Sequence, residues 1–236
     1  MKKPAFSRSR FRQRQAEGIA RAEAFLERRR QHWREEAAAA LTHGAGLLLF
    51  AGAVPVLITL ALIHGSALHI TAFSLYGGSL VLLYATSTLY HAARHPRLKR
   101  TFRVLDHAAI FILIAGTYTP IALLTLDGWL RGVMLVAVWS LAITGCVFKF
   151  FCTGRYERLS LALYLGMGWL ALVVVKPVME ALPLAAFAWL VVGGLLYTGG
   201  VLFYAWQRLP YNHAVWHLFV LAASICHFVA IAWYAW

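Results

Sequence analysis

Residues 213–236 read HAVWHLFVLAASICHFVAIAWYAW and contain no Lys, Arg, Asp or Glu. About 20 apolar residues carry a helix across a bilayer, so this stretch reads as a transmembrane helix. It follows Pro210-Tyr211-Asn212, and His213 and His217 occupy its first turns. An i,i+4 pair puts both imidazoles on one helix face. Such a pair suits two metal ligands, or two histidines hydrogen-bonded to neighbouring helices.

Working outward, six more apolar runs can be marked, at about 38–63, 70–92, 104–126, 130–150, 157–175 and 184–206. The chain has 236 residues, 61% of them hydrophobic, a composition outside the range of soluble domains. The connecting loops are short. The expected fold is an all-α integral membrane protein, a seven-transmembrane-helix bundle over 38–236 preceded by a basic segment over 1–37. Pro55 and Pro120 fall inside spans and are expected to kink them. Small residues recur at Gly44, Gly46 and Gly52, at Gly77, Gly78 and Ser79, at Gly166 and Gly168, and at Gly193, Gly194, Gly199 and Gly200. In lipid these let helix backbones approach closely, and most of these glycines are expected at helix contacts.

The net charge is +13. A basic balance can signal nucleic acid, but the positions of the charges argue otherwise. Lys and Arg number 11 in residues 1–37, five in 93–103, three in 149–158 and one in 207–212. The alternate connections hold only Arg131 and Lys176. The positive-inside rule then places the N-terminus in the cytoplasm and the C-terminus outside. The expected location is the plasma (inner) membrane, with anionic headgroups contacting the basic segment and no nucleic-acid partner. The first 36 residues lack the apolar core of a cleavable signal peptide. Residues 11–34 read as a polar, interfacial helix with a sparse apolar stripe of Phe11, Ile19, Phe25 and Leu26. Cys146, Cys152 and Cys226 show no zinc-type spacing and read as small apolar fillers.

With this topology, several polar residues fall at one depth, near the cytoplasmic ends of spans. Ser87-Thr-Leu-Tyr-His91 closes the second span, with Ser87 one turn deeper than His91 on the same face. Taken alone, His91 reads rather as an interfacial residue beside a basic loop. Asp106 opens the third span, where a carboxylate also stabilises a helix N-terminus. His107 is about 100° round the helix from Asp106 and is assigned a packing or supporting role. Thr42 and His43, preceded by Glu35 and Glu36, begin the first span at the same level and are candidates to support the site. Polar groups within a membrane are functional suspects. A catalytic zinc takes three protein ligands and leaves a position for water. His91, His213 and His217 supply three nitrogens, and Asp106 is placed to hold the water. His227 lies 14 residues beyond His213, about 21 Å deeper, too far to share that metal but placed to line a cavity. His32, His64, His69 and His95 are expected to be solvated.

The motifs Ser87-x-x-x-His91, Leu105-Asp106-His107, Gly116-Thr-Tyr-Thr-Pro120 and His213-x-x-x-His217 together resemble the hemolysin III family. That family is grouped with the progestin and adipoQ receptors and, more distantly, the alkaline ceramidases. The resemblance covers about residues 35–236, and Tyr197-Thr-Gly-Gly-Val-Leu-Phe-Tyr204 resembles the family's sixth span. It implies a seven-helix bundle with a cytoplasmic N-terminus, and zinc held by His91, His213 and His217. It also implies a water near Asp106, Ser87 close by, and a metal-dependent hydrolase activity of ceramidase type. The substrate would be a lipid amide or ester lying among the helices. Two further functions stay open: a non-enzymatic regulator or sensor of membrane state with structural zinc, and a pore-former of the kind the family name suggests. One departure from the pattern shows: Ala38 or Ala39 occupies a region where bacterial members often carry Asn.

Overall fold

A computed structural model describes residues 8–235. The helices run α1 Arg8–His64, α2 Ala67–Ala92, α3 Pro96–Thr125, α4 Gly128–Cys152, α5 Glu157–Trp169, α6 Val175–Ala181, α7 Leu184–Ala205 and α8 Asn212–Ala232. A short 3₁₀ turn, Leu170–Val174, joins α5 to α6, so these two make a single span. Among the described residues, seven spans are long and apolar enough to cross a membrane. Large apolar side chains on their outer surfaces lie open, with Leu48, Leu184 and Phe151 at 78%, 80% and 83% exposure. An outward surface of that kind needs lipid as its solvent.

The first helix is one continuous element of 57 residues. The run Ala37-Ala-Ala-Ala40 bridges the change from polar to apolar sequence with the best helix former. At 1.5 Å per residue the helix is roughly 85 Å long, far beyond what the hydrocarbon core requires. The polar segment is therefore an extension of the first span and does not start a separate helix. Ile19, Phe25 and Leu26 on this extension are all more than half exposed, and the Phe11 side chain lies outside the described set. Arg29 packs over the Phe25 ring at 5.9 Å.

The fifth span reaches Ala181, six residues beyond the apolar run read from the sequence. Pro177 explains its interruption. It lacks an N–H, and its ring displaces the carbonyl of the residue four earlier, Val173, which lies in the 3₁₀ turn. The Tyr118 hydroxyl reaches the Met167 carbonyl at 3.1 Å and also the Gly168 carbonyl, supplying a donor where the α-helical pattern ends. Helices α1 and α3, by contrast, continue through Pro55 and Pro120.

Two buried clusters organise the bundle. Phe50, Leu57, Phe73, Leu80, Val220 and Ile231 join α1, α2 and α8. Phe111, Val138, Met167, Val174 and Val178 join α3, α4 and the fifth span. Close backbone approach occurs at some of the small residues. A Cβ on Gly77 would meet Val54 at 2.3 Å, and one on Gly46 would meet Tyr84 at 2.5 Å. A Cβ on Gly193 would meet His227 at 2.2 Å, and one on Gly200 would meet Phe219 at 2.7 Å. Among the described residues, Gly52, Gly78, Gly166, Gly168 and Gly194 face open space, so about half of the glycines expected at contacts do not make them. Cys146, Cys152 and Cys226 are free thiols.

Candidate metal site

The end of the bundle that carries the basic loops gathers the polar residues. Helix α2 brings His91, buried, in its last turn. Helix α8 brings His213 and His217 in its first turns, after Tyr211, which adopts a left-handed conformation at φ 58°. The Glu35 carboxylate accepts from the Tyr211 N–H at 3.4 Å, tying this helix start to α1. One ligand atom from each of His91, His213 and His217 lies within 4.8 Å of the others. Ring centroids stand 4.9 Å apart for His91–His213 and for His91–His217, and 4.6 Å apart for His213–His217. The three histidines are placed to hold a metal ion.

Ring orientation supports that fit. His217 Nδ1 lies 3.1 Å from the Ala39 carbonyl. A carbonyl only accepts, so Nδ1 carries the proton and Nε2 presents its lone pair. His91 Nδ1 lies 3.2 Å from Glu36 Oε2, and the same logic frees its Nε2. The Nε2 atoms of His91 and His213 are buried and, among the described residues, without a hydrogen-bond partner. Unpaired buried nitrogens are costly in an apolar interior. A cation accepting their lone pairs removes that cost, and carboxylate or carbonyl partners on the far ring nitrogens are the usual accompaniment of metal-binding histidines.

The supporting residues expected from sequence fall around this cluster. The His43 ring stacks on His217 at 3.6 Å and 7°, and His43 Nδ1 is 2.7 Å from Ser87 Oγ. Thr42 Oγ1 contacts the Ala38 and Ala39 carbonyls and lies 3.5 Å from His217 Nδ1. Ser87 is fully buried beside Asp106. Asp106 is buried too, with Oδ2 4.0 Å from His107 Nδ1. His107 Nδ1 donates to the Arg103 carbonyl at 2.7 Å, and its Nε2 faces Glu157 at 4.0 Å. His107 therefore sits between Asp106 and a second ionic group, Glu157 with the fully buried Lys149 and with Arg103.

Three contributors escaped the sequence reading. Glu36 orients His91, Lys99 pairs with Glu36, and the Ala39 carbonyl accepts from His217 Nδ1. An acidic residue just before an apolar run was the only available signal for the first. Of the four histidines expected in solvent, His32 is exposed and lies 3.9 Å from Glu36 Oε1.

A cavity of about 280 Å³ leads away from the cluster. His43, Asp106, His213 and His217 line its polar end, and the rest is mostly apolar, including Leu165, Leu172, Phe187 and Val191. It reaches His227, deep in α8. Trp169 and Leu172 on the fifth span and Val191 on α7 both line it and are exposed on the outer surface. Trp169 Nε1 donates to Thr198 Oγ1 across that side at 3.2 Å.

Fold and site thus define a multi-pass membrane protein with a buried three-histidine cluster heading an apolar cavity. The chain belongs to the haemolysin-III related family, which it matches over residues 31–228. It is 46% identical to Hemolysin-3 of Bacillus cereus over 209 residues, covering 89% of this chain and 95% of that protein. It is also 46% identical to the Hemolysin-3 homolog of Bacillus subtilis, covering 85% and 94%. A more distant relative, the human monocyte to macrophage differentiation factor, is 32% identical over 75% of this chain and 77% of its own length. The matched region contains every residue of the cluster, from Glu36 to His217.

Proposed function

We propose that this protein binds zinc through His91, His213 and His217 and hydrolyses an amide or ester bond of a membrane lipid. The observation that carries the reading is the convergence of three imidazoles, two of whose Nε2 atoms are unpaired among the described residues, at the polar end of an apolar cavity. The charge bias of the loops supports a cytoplasmic orientation for that end, in the plasma membrane. There the basic extension of α1 meets anionic headgroups.

Zinc, when bound, supplies Lewis acidity that polarises a carbonyl and makes water acidic enough to react near neutral pH. The chain's residues do the rest. Asp106, buried on the cavity wall, orients a water through its carboxylate and accepts its proton as general base. Ser87, with its Oγ 2.7 Å from His43 Nδ1 and hydrogen-bonded to Asp106, turns its hydroxyl toward charge developing on the substrate oxygen. The apolar wall holds the acyl chain and keeps bulk water out. The exposed apolar residues on the fifth span and α7 give a lipid a route from the bilayer.

The test is release of fatty acid from a panel of lipid amides and esters by the purified protein, beside Asp106→Asn. A loss of about a hundredfold or more, the scale of a general base, is expected with metal and helicity retained. Unchanged turnover in Asp106→Asn removes Asp106 from the base role. Bound metal with no turnover on any lipid favours a structural zinc in a regulator or sensor of membrane state. The name of the Bacillus cereus relative raises pore formation as a second reading. Dye release from liposomes containing the protein would support that reading, and intact liposomes count against it.

A further inference from the structure

We propose that the deep end of the cavity is a second polar subsite, built on His227, which accepts a hydrogen bond from a hydroxyl carried on the lipid chain. This rests on the lipid-binding reading of the cavity given above and narrows its ligand to hydroxylated acyl lipids.

His227 lines the cavity, ten residues beyond His217, so it lies about 15 Å further along α8. Its Nε2 is 3.1 Å from the Leu190 carbonyl of α7. The carbonyl can only accept, so Nε2 carries the proton and Nδ1 is an acceptor. Nδ1 is buried and has no partner among the described residues. The orientation is built in by Gly193: a Cβ there would stand 2.2 Å from His227 Cδ2 and 2.4 Å from Nε2. Any larger residue would push the ring away from Leu190. With the Cδ2–Nε2 edge against α7, Nδ1 lies on the opposite side of the ring.

The surroundings are polar in a way that packing does not require. Tyr197, which also lines the cavity, has its ring 5.5 Å from His227. Its hydroxyl is 2.8 Å from Ser224 Oγ, which accepts from Tyr84 at 2.9 Å. Tyr76 Oη, fully buried nearby, has no partner among the described residues. A ring held in one tautomer on the wall of an apolar cavity, with a buried acceptor unmet, selects a ligand that brings a donor. A plain alkyl chain leaves Nδ1 unpaired, which costs binding. The polar end of the same ligand lies at the histidine cluster, so its hydroxyl belongs well along the chain.

The probe is a long-chain fatty acid hydroxylated in mid-chain or at its far end, compared with its unsubstituted parent. Affinities are measured by titration calorimetry on the full-length protein in one detergent. The hydroxylated acid is expected to bind about tenfold tighter, the scale of one buried hydrogen bond. His227→Phe should remove the preference by weakening only the hydroxylated acid. His227→Gln, which keeps an acceptor and a donor, should retain part of it. Equal affinities in the wild type overturn the subsite while leaving the lipid cavity intact. A preference that survives in folded His227→Phe overturns the assignment to His227. Binding of neither acid overturns the subsite and the lipid reading of the cavity together.

Discussion

Glu36→Ala probes the support of the histidine cluster without touching a proposed ligand. Glu36 Oε2 stands 3.2 Å from His91 Nδ1, and the two side chains are only 13% and 4% exposed. Removing the carboxylate leaves a buried N–H without an acceptor, at a cost of about 1–3 kcal/mol. That penalty falls on the ring orientation which aims Nε2 at the other histidines. Loss of such a supporting contact lowers metal affinity by about 10–100-fold, or ~1.4–2.7 kcal/mol, and the two ranges agree. Lys99→Met is the control, since it breaks the Lys99–Glu36 pair but leaves the contact to His91. The assay is equilibrium competition for zinc against a fluorescent chelator, with circular dichroism to verify helicity. Glu36→Ala should weaken zinc at least tenfold, Glu36→Gln less, and Lys99→Met by under threefold, the span of an ordinary part-exposed ion pair. Zinc affinity in folded Glu36→Ala within twofold of the wild type would show that Glu36 does not position His91.

Two further variants test the packing. Gly77→Ala forces a Cβ to within 2.3 Å of Val54, whereas Gly78→Ala next to it meets nothing within 4 Å. The first should lower thermal stability by about 1–3 kcal/mol and the second should be tolerated, as read by melting in detergent. The Lys149–Glu157 pair is asymmetric. Glu157 keeps Arg103 at 3.5 Å if Lys149 is removed, while Lys149, fully buried, is left with no carboxylate in reach among the described residues. Glu157→Gln should therefore destabilise by about 3 kcal/mol or more, the scale of an uncompensated buried charge. Lys149→Met should cost clearly less in the same melting assay.

The seven spans were legible because lipid forces long apolar runs, and no such run is needed elsewhere. The His213–His217 pair was legible because its spacing is local. Its union with His91 followed from depth, since each residue sits at a span end carrying basic loops. Glu36 was not legible as the partner of His91, because 55 positions separate them and Glu36 lies outside every apolar run. The Ala39 carbonyl, which accepts from His217 Nδ1, had no side-chain signature at all. The continuity of α1 past residue 37 was hidden because hydropathy changes there while helix propensity does not. The broken fifth span was marked by Pro177, a residue just past the end of its apolar run. Which glycines meet a neighbour depends on helix rotation, and a string of small residues does not state that.

The most direct measurement is the metal content of the purified protein by mass spectrometry, beside His213→Ala and His217→Ala. About one zinc per chain, lost in both variants while helicity is retained, is the expected result. A well-folded wild-type protein that holds no metal after purification with zinc present would contradict it. The histidines would then serve only to pack and hydrogen-bond the ends of the helices.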